Sequence, residues 1–364
     1  MKVAHLINSM FTGGAEKLLL DTLPLYHRKG ISADLLVLNG TETPFLTKLK
    51  AQQICRFYSL GSGSVYHPLL VLKIIPYLRQ YDLIHVHLFP AQYWVVFAKM
   101  LSFSKVKLVC TEHNTHNRRM ESKLFRLADR FVYSYYSKVV CITDEVQTVL
   151  QKHLTAKESK FLVIHNGVDL DSIIATQSYG SDFFDSWSGS DTKLLLQVAG
   201  FRAQKDQPTL IRALAVLPAH VHLFLVGDGI TKPFCEALVS SLQLQDRVHF
   251  LGLRMDVPAL LKTVDIVVVS SHWEGFGIAA VEGMASRKPV IASTVSGLKE
   301  VVEGAGILFE PGNSEELAFK INHLIENPTV YEKVAKACQE RSMQYDIKKM
   351  LEQHIRLYEE LLQT

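Results

Sequence analysis

The sequence predicts two doubly wound α/β domains of similar size, each a parallel sheet with helices on both faces. Three observations lead there. Short β-rich apolar runs alternate with helical patterns along nearly all of the 364 residues, the alternation that builds parallel sheets. A chain of this length exceeds what a single hydrophobic core usually organises. The alternation also breaks once, near the middle, and then restarts.

In the first half the strand candidates are residues 3–7, 33–38, 83–86, 107–110, 138–142 and 161–164. Each is a short, mainly apolar run rich in Val, Ile and Leu, without the regular polar alternation of a half-exposed strand. Helical spacing of apolar residues covers 15–27, 69–79 and 124–136 between them. Residues 171–191 then collect Ser172, Ser178, Ser181, Ser186, Ser188 and Ser190 with Gly180 and Gly189, a linker composition. Strand patterns resume at 193–198, 222–226, 248–251, 266–269, 290–292 and 306–309, with a helix over 208–217. The chain ends in helical stretches over 314–326, 330–343 and 347–362. The expected division is a first domain over 1–170, a linker over 171–191 and a second domain over 192–345. A last helix over 346–364 is expected to return to the first domain. Ligands of such sheets bind outside the carboxyl ends of the strands, so the expected site is a cleft faced by the two domains.

Composition excludes several classes. Hydrophobic content of 48% and charged content of 21% are those of a globular protein, and a net charge of +3 does not argue for nucleic acid. The five cysteines, Cys55, Cys110, Cys141, Cys235 and Cys338, are odd in number and scattered. That argues against a disulfide framework or a zinc cluster and for a reducing compartment; Cys110 and Cys141 read as small buried hydrophobes. The first eight residues read as a strand, too short and polar for a signal peptide. No apolar run reaches the roughly 18 residues of a membrane helix, since Lys99 interrupts the run over 93–103.

The most informative stretch is 270–303. Glu274 stands at the mouth of a strand, Gly275 and Gly277 make a turn, and a helix follows that carries Glu282. A helix opened by glycines presents bare N–H groups and the positive end of its dipole, which suits a phosphate. Two carboxylates beside it suit hydroxyl-rich groups such as ribose and a sugar, and together they describe a nucleotide-sugar pocket. The competing reading is a pair of carboxylates favoured by the helix dipole, which leaves the glycine framing without a reason.

These residues, with Gly13-Gly14-Ala15-Glu16, His165-Asn166-Gly167-Val168-Asp169, Gly200-Phe201-Arg202…Lys205 and Gly227-Asp228-Gly229 in that order, closely resemble the retaining glycosyltransferases of family 4, which have the GT-B architecture. The resemblance covers nearly the whole chain. It implies two Rossmann-like domains, the first for the acceptor and the second for the donor. The implied reaction moves a hexose-type sugar from a nucleotide diphosphate to a hydroxyl of a saccharide or lipid-linked acceptor, with retention and without a bound metal or other cofactor. It also implies synthesis of a cell-surface polysaccharide or glycolipid in the cytoplasm, peripherally at the inner face of the plasma membrane.

Residue by residue, the resemblance gives Arg202 and Lys205 the charge developing on the departing diphosphate, a task that two fixed cations can perform. No Asp-x-Asp motif stands at a strand end, which fits a metal-free mechanism. As plain chemistry the two are equally well solvated surface cations. Glu282 is placed on the ribose hydroxyls and Glu274 on hydroxyls of the transferred sugar. The backbone N–H groups of Phe276, Gly277 and Ile278 are the expected phosphate cradle. Gly13 and Gly14 permit backbone approach to the diphosphate from the first domain, or are a tight turn with no ligand. His113 matches the position where relatives set a histidine against the transferred sugar, with His116 as its rival. His85 and His87 alternate along one strand; His87 either meets the acceptor or is a satisfied structural histidine. Arg254 lies in the loop whose backbone reads the nucleobase in relatives. Asp228 shapes a turn.

Departures from the family pattern are Gly283 within the helix, Arg287 where relatives favour glycine, and Ser296-Gly297 in place of a glycine pair. Residues 99–138 hold nine Lys/Arg against three acids, interleaved with Phe103, Met120, Leu124, Phe125 and Leu127. This segment suits an anionic membrane or a lipid diphosphate, or is a solvated basic face. Two other functions share the architecture: a nucleotide-sugar epimerase or phosphorylase, and a non-catalytic binding protein.

Overall fold

The computed structural model describes residues 1–114, 120, 122–180 and 191–363. His116 and the central serines of 181–190 therefore lie outside the described residues, as do Arg118, Arg119 and Glu121 of the basic segment. The chain folds as two units, Met1–Gly167 with Ile347–Thr364, and Val168–Asp346.

The first unit is built on seven strands: β1 (Lys2–Ile7), β2 (Ser32–Val37), β3 (Phe57–Ser59), β4 (Leu83–His87), β5 (Lys107–Glu112), β6 (Lys138–Cys141) and β7 (Phe161–Val163). They pair in parallel in the order β3-β2-β1-β4-β5-β6-β7. The order reverses between β1 and β4, so the loops that follow these two strands define the switch point. Between the strands run α1 (Gly14–Arg28), α2 (Pro44–Ala51), α3 (Leu70–Ile74), α4 (Ala91–Ser102), α5 (Lys123–Ser134) and α6 (Asp144–Leu154). The helical pattern over 69–79 resolves into α3 and a separate 3-10 turn, Ile75–Arg79. Pro76 has no N–H to continue the α ladder.

The second unit holds α7 (Leu170–Ala175), β8 (Lys193–Val198), α8 (Gln207–Ala215), β9 (Val221–Val226), α9 (Lys232–Ser241), β10 (Val248–Gly252), α10 (Val257–Thr263), β11 (Ile266–Val269), α11 (Ile278–Ala285), β12 (Val290–Ser293), α12 (Leu298–Val302), β13 (Ile307–Phe309), α13 (Ser314–Glu326) and α14 (Pro328–Ser342). Its six strands are parallel in the order β10-β9-β8-β11-β12-β13, with the switch between β8 and β11. The first residues of the expected linker are not linker. Asp169 caps α7 by accepting from the Ser172 N–H at 3.1 Å, and Leu170 and Ile173 are buried. A capping aspartate and two apolar residues at helical spacing outweigh the serines around them.

The chain crosses between units at two neighbouring places: Val168 bridges Asp346 and its N–H bonds the Tyr345 carbonyl at 2.9 Å. Past that point α15 (Ile347–Gln363) joins the first unit. Its Ile347, Met350, Leu351, Leu357 and Tyr358 enter the same core as Leu19, Leu23, Tyr26 and Leu35. Steps of three, four and seven residues put these side chains on one helix face. All five cysteines are free thiols, with Cys110 and Cys141 buried in the first sheet.

Candidate active site

In the second unit the loops after β8, β11 and β12 gather at the carboxyl ends of the strands. Gln197, near the end of β8, is 2% exposed. Its amide donates to the Lys205 carbonyl at 2.9 Å and to the Ser270 hydroxyl at 3.0 Å. Ser270 in turn donates to the Asp206 carbonyl at 2.8 Å. These bonds fix the loop carrying Arg202 and Lys205 against the one carrying Glu274. Asp206 stands in the left-handed region, φ 46°, and caps α8 through Thr209.

Lys205 and Glu274 meet as an ion pair, with side chains 23% and 13% exposed. The Ser271 hydroxyl donates to the same Glu274 Oε1 at 2.9 Å. Arg202 is exposed and has no carboxylate partner among the described residues. The two cations expected to act alike therefore differ. One is already neutralised and held, and the other is free to meet an incoming charge.

The turn after Glu274 depends on glycine. Gly277 caps α11 at φ 88°, and a Cβ there would lie 2.3 Å from Leu298 Cδ2. The N–H groups of Gly277 and Ile278 bond no acceptor among the described residues, so the start of α11 keeps bare donors at its positive end. Phe276 is buried, edge-on to Tyr345 with ring centroids 5.2 Å apart, so its side chain serves packing. Glu282 is 8% exposed within α11. Gly297 stands at φ 77° with space for no Cβ: Glu274 O and Gly275 C would be 2.7 and 2.8 Å away. The neighbouring Ser296 hydroxyl is buried without a hydrogen-bond partner among the described residues. Gly227 and Gly229, φ 136° and 152°, similarly press against the backbone of Ala199 and Phe201, while the Asp228 carbonyl accepts from the Phe201 N–H at 2.9 Å.

The departures from the family pattern find local reasons. A Cβ on Gly283 would lie 2.9 Å from Val267 Cγ1, so its helix penalty is exchanged for close packing of α11 on β11. Arg287 takes the left-handed conformation itself, φ 58°, at the position where glycine usually ends a helix. Arg254 is bound bidentately by Asp256 and contacts the Tyr179 hydroxyl at 3.3 Å. Its guanidinium holds the Asp256 carboxyl down at about 2. The Arg254 side chain is thus already engaged by Asp256 and Tyr179.

In the first unit Gly13 precedes α1 with an extended backbone, φ −160°. Its missing side chain leaves room for the Glu16 carboxylate, which a Cβ would meet at 2.4 Å. Gly14 is the first helical residue. Asn8, just past β1, donates to the Phe89 carbonyl at 2.7 Å and accepts from the Ala91 N–H at 3.2 Å, tying together the two loops of the switch point. His113 follows β5, and its Nε2 lies 3.2 Å from His87 Nδ1. His87 is 2% exposed and is also bonded to His5 at 3.2 Å. It is therefore the satisfied structural histidine of the two readings. His5 carries no functional signal in the sequence. It sits in an apolar strand, and the only hint was an imidazole where Val or Ile would serve.

Two parallel α/β units, one with glycine turns, a bare helix start and fixed charges at its switch point, define a two-domain α/β protein whose candidate site lies at the carboxyl ends of the second sheet's strands. Comparison with known proteins agrees. Residues 12–172 match the family described as Glycosyltransferase Family 4, and residues 181–341 the one described as Glycosyl transferases group 1. The chain belongs to the family 4 glycosyltransferases and has the GT-B fold. It is 27% identical over 298 residues to the N-acetyl-alpha-D-glucosaminyl L-malate synthase of Bacillus anthracis, covering 77% of this chain and 75% of that one. It is 25% identical to a Campylobacter jejuni N,N'-diacetylbacillosaminyl-diphospho-undecaprenol alpha-1,3-N-acetylgalactosaminyltransferase, covering 67% of this chain. The chain spans 64% of that relative's length. The crystal structure of Anabaena Alr3699/HepE in complex with UDP and glucose superposes with a TM-score of 0.86 at 27% identity, over 98% of this chain and 99% of that one.

Proposed function

We propose that this protein transfers a hexose-type sugar from a uridine diphosphate donor to a hydroxyl of a saccharide or lipid-linked acceptor, with retention at the anomeric carbon. The observation that carries the reading is the Lys205–Glu274 pair beside exposed Arg202 and the bare start of α11. UDP in the Anabaena relative and the lipid-diphosphate acceptor in the Campylobacter relative's name support the choice of donor and acceptor class. The bond from the anomeric carbon to the β-phosphate oxygen breaks, and the new bond to the acceptor oxygen forms on the same face. The acceptor proton passes to the departing phosphate oxygen. Arg202 neutralises that oxygen, and Lys205 follows as its carboxylate partner turns to the sugar. Glu282 holds the ribose, and Gly13, Gly14 and His113 are the first unit's contribution. Fixed cations take the role a metal ion would otherwise fill, so no cofactor is invoked.

Calorimetric titration of UDP, GDP and ADP without added metal tests the donor site, with UDP alone expected to bind. Arg202→Ala should lower turnover by roughly a hundredfold, the value of one preorganised charge contact, with the acceptor KM little changed. Unchanged turnover would remove Arg202 from the mechanism.

The acceptor reading extends to an anionic membrane surface. On α5, Leu124 and Leu127 are 77% and 63% exposed, interleaved with exposed Lys123, Arg126 and Arg130. Among the described residues no helix is long and apolar enough to cross a membrane, so contact through α5 would be peripheral. Flotation with anionic vesicles at low salt checks it; no bound protein would refute the contact.

A further inference from the structure

Four histidines line one face of the first sheet and a fifth covers them. His5 lies on β1 and is paired in register with His85 on β4. The two-residue repeat of a strand puts His87 on the same face as His85. His113 follows β5, and His354 comes from α15. His5, His85 and His87 are 1%, 0% and 2% exposed. Burying an imidazole is unfavourable unless its nitrogens are served, so the bonds that serve them carry information.

His85 is fully served: Nδ1 lies 2.5 Å from the Tyr358 hydroxyl and Nε2 2.7 Å from Thr111 Oγ1. Both its nitrogens are spent, which makes it an anchor rather than a ligand. The other three form a chain. His5 Nδ1 lies 3.2 Å from His87 Nε2, and His87 Nδ1 lies 3.2 Å from His113 Nε2. At the inner end His5 Nε2 is buried without a partner among the described residues. At the outer end stands half-buried His113. Burial holds the rings neutral: His5 is pushed down to about 3 and His113 to about 4, and His87 falls well below the ordinary histidine value.

A neutral imidazole has one N–H and one lone pair. Three of them in series can therefore be ordered in only two ways. In one, every ring donates inward, and an N–H is stranded at His5 Nε2. In the other, every ring donates outward, only a lone pair is stranded there, and the last proton sits on His113 Nδ1. Among buried backbone groups an orphaned N–H is rarer than an under-satisfied acceptor, and by the same preference the outward order is favoured for the rings.

We propose that His5 and His87 are positioning residues that fix His113 as its Nδ1–H tautomer, so that it meets the sugar as a hydrogen-bond donor and never as an acceptor. The inference rests on the placement of His113 against the sugar in the function proposed above. It selects a donor sugar with an acceptor oxygen at that point, and it makes two residues that touch no substrate matter to turnover.

The tautomer is read directly from long-range nitrogen–proton correlation spectra of the intact protein labelled with 15N-histidine, with His113→Gln identifying the resonance. The expected result is a His113 ring protonated at Nδ1. His87→Leu should abolish that preference and lower kcat about tenfold, the value of one hydrogen bond, with the donor KM unchanged. His87→Gln, which keeps an acceptor for His5 and a donor for His113, should restore most of the loss. A wild-type His113 protonated at Nε2, or a tautomer indifferent to His87→Leu, overturns the proposal; the wild-type and His87→Gln spectra decide it even if His87→Leu does not fold. The spectra need no substrate, so a protein with the Nδ1–H tautomer and no sugar transfer would refute the function reading separately.

Discussion

At the scale of single residues, the positions that matter most are those whose partners are far away in sequence. Lys205 and Glu274 are 69 residues apart, and nothing in either local motif announces that one neutralises the other. His5 and His87 are 82 apart, and nothing local to either strand announces the other. The buried histidines have a consequence for pH. His5 and His354 are pushed by burial to about 3 and about 4, whereas the unfolded chain takes up their protons near 6.5. Between those values the unfolded state binds more protons, so stability is fully present above pH 6.5 and is lost as the pH falls toward 4. Each of the two should withdraw about 2 kcal/mol between pH 6.5 and 5. Urea titrations at pH 7 and pH 5 should show the lower midpoint at pH 5, with a smaller difference in His5→Leu. Equal midpoints for the wild-type protein would mean that these rings are accessible to protons in the folded state.

At the scale of elements, strands were legible and their junctions less so. Parallel strands buried on both faces are continuous apolar runs, and β8 and β11 are found where the pattern puts them. β3 escaped because it is three residues long and half-exposed, Phe57–Ser59, with no run to see. The linker pattern over 171–191 failed at its start because a cap and two buried side chains make α7. The glycine framing of α11 was legible as chemistry, but the packing behind it was not. Gly297 and Gly30 show the difference. Both have positive φ, 77° and 75°, yet Gly30 has nothing within 4 Å of its missing Cβ, while Gly297 abuts the backbone of Glu274 and Gly275. Gly30→Ala should cost about 1–2 kcal/mol for the left-handed conformation alone. Gly297→Ala must also displace the loop that positions Glu274, and should lose UDP binding as well as more stability. Thermal midpoints and UDP titration of the two variants separate the effects; retained UDP affinity in Gly297→Ala would show that the loop tolerates the shift.

At the scale of the whole molecule, the chain begins in one unit, builds the other, and returns to finish the first. That order was partly written in the last helix, whose Ile347, Met350, Leu351, Leu357 and Tyr358 repeat at steps that give one apolar face. Its destination is settled by its partners. Tyr358 donates or accepts with Tyr26 at 3.1 Å and meets His85 at 2.5 Å, so α15 closes both the core and the histidine face of the first unit. Five buried side chains at roughly 1.5–3 kcal/mol each amount to about 10 kcal/mol, comparable to the whole stability of an ordinary domain. A chain ending at Asp346 should therefore lose the first unit and keep the second. The second unit's sheet, its core around Leu210, Leu225, Val268 and Ile321, and the Lys205–Glu274 pair lie entirely within Val168–Asp346. Hydrogen exchange of the truncated protein should show strands β1–β7 unprotected and β8–β13 protected, with transfer to any acceptor lost. Protection of β1–β7 at wild-type levels would mean that the first unit's core is complete without α15 and that the helix serves some end other than closing it.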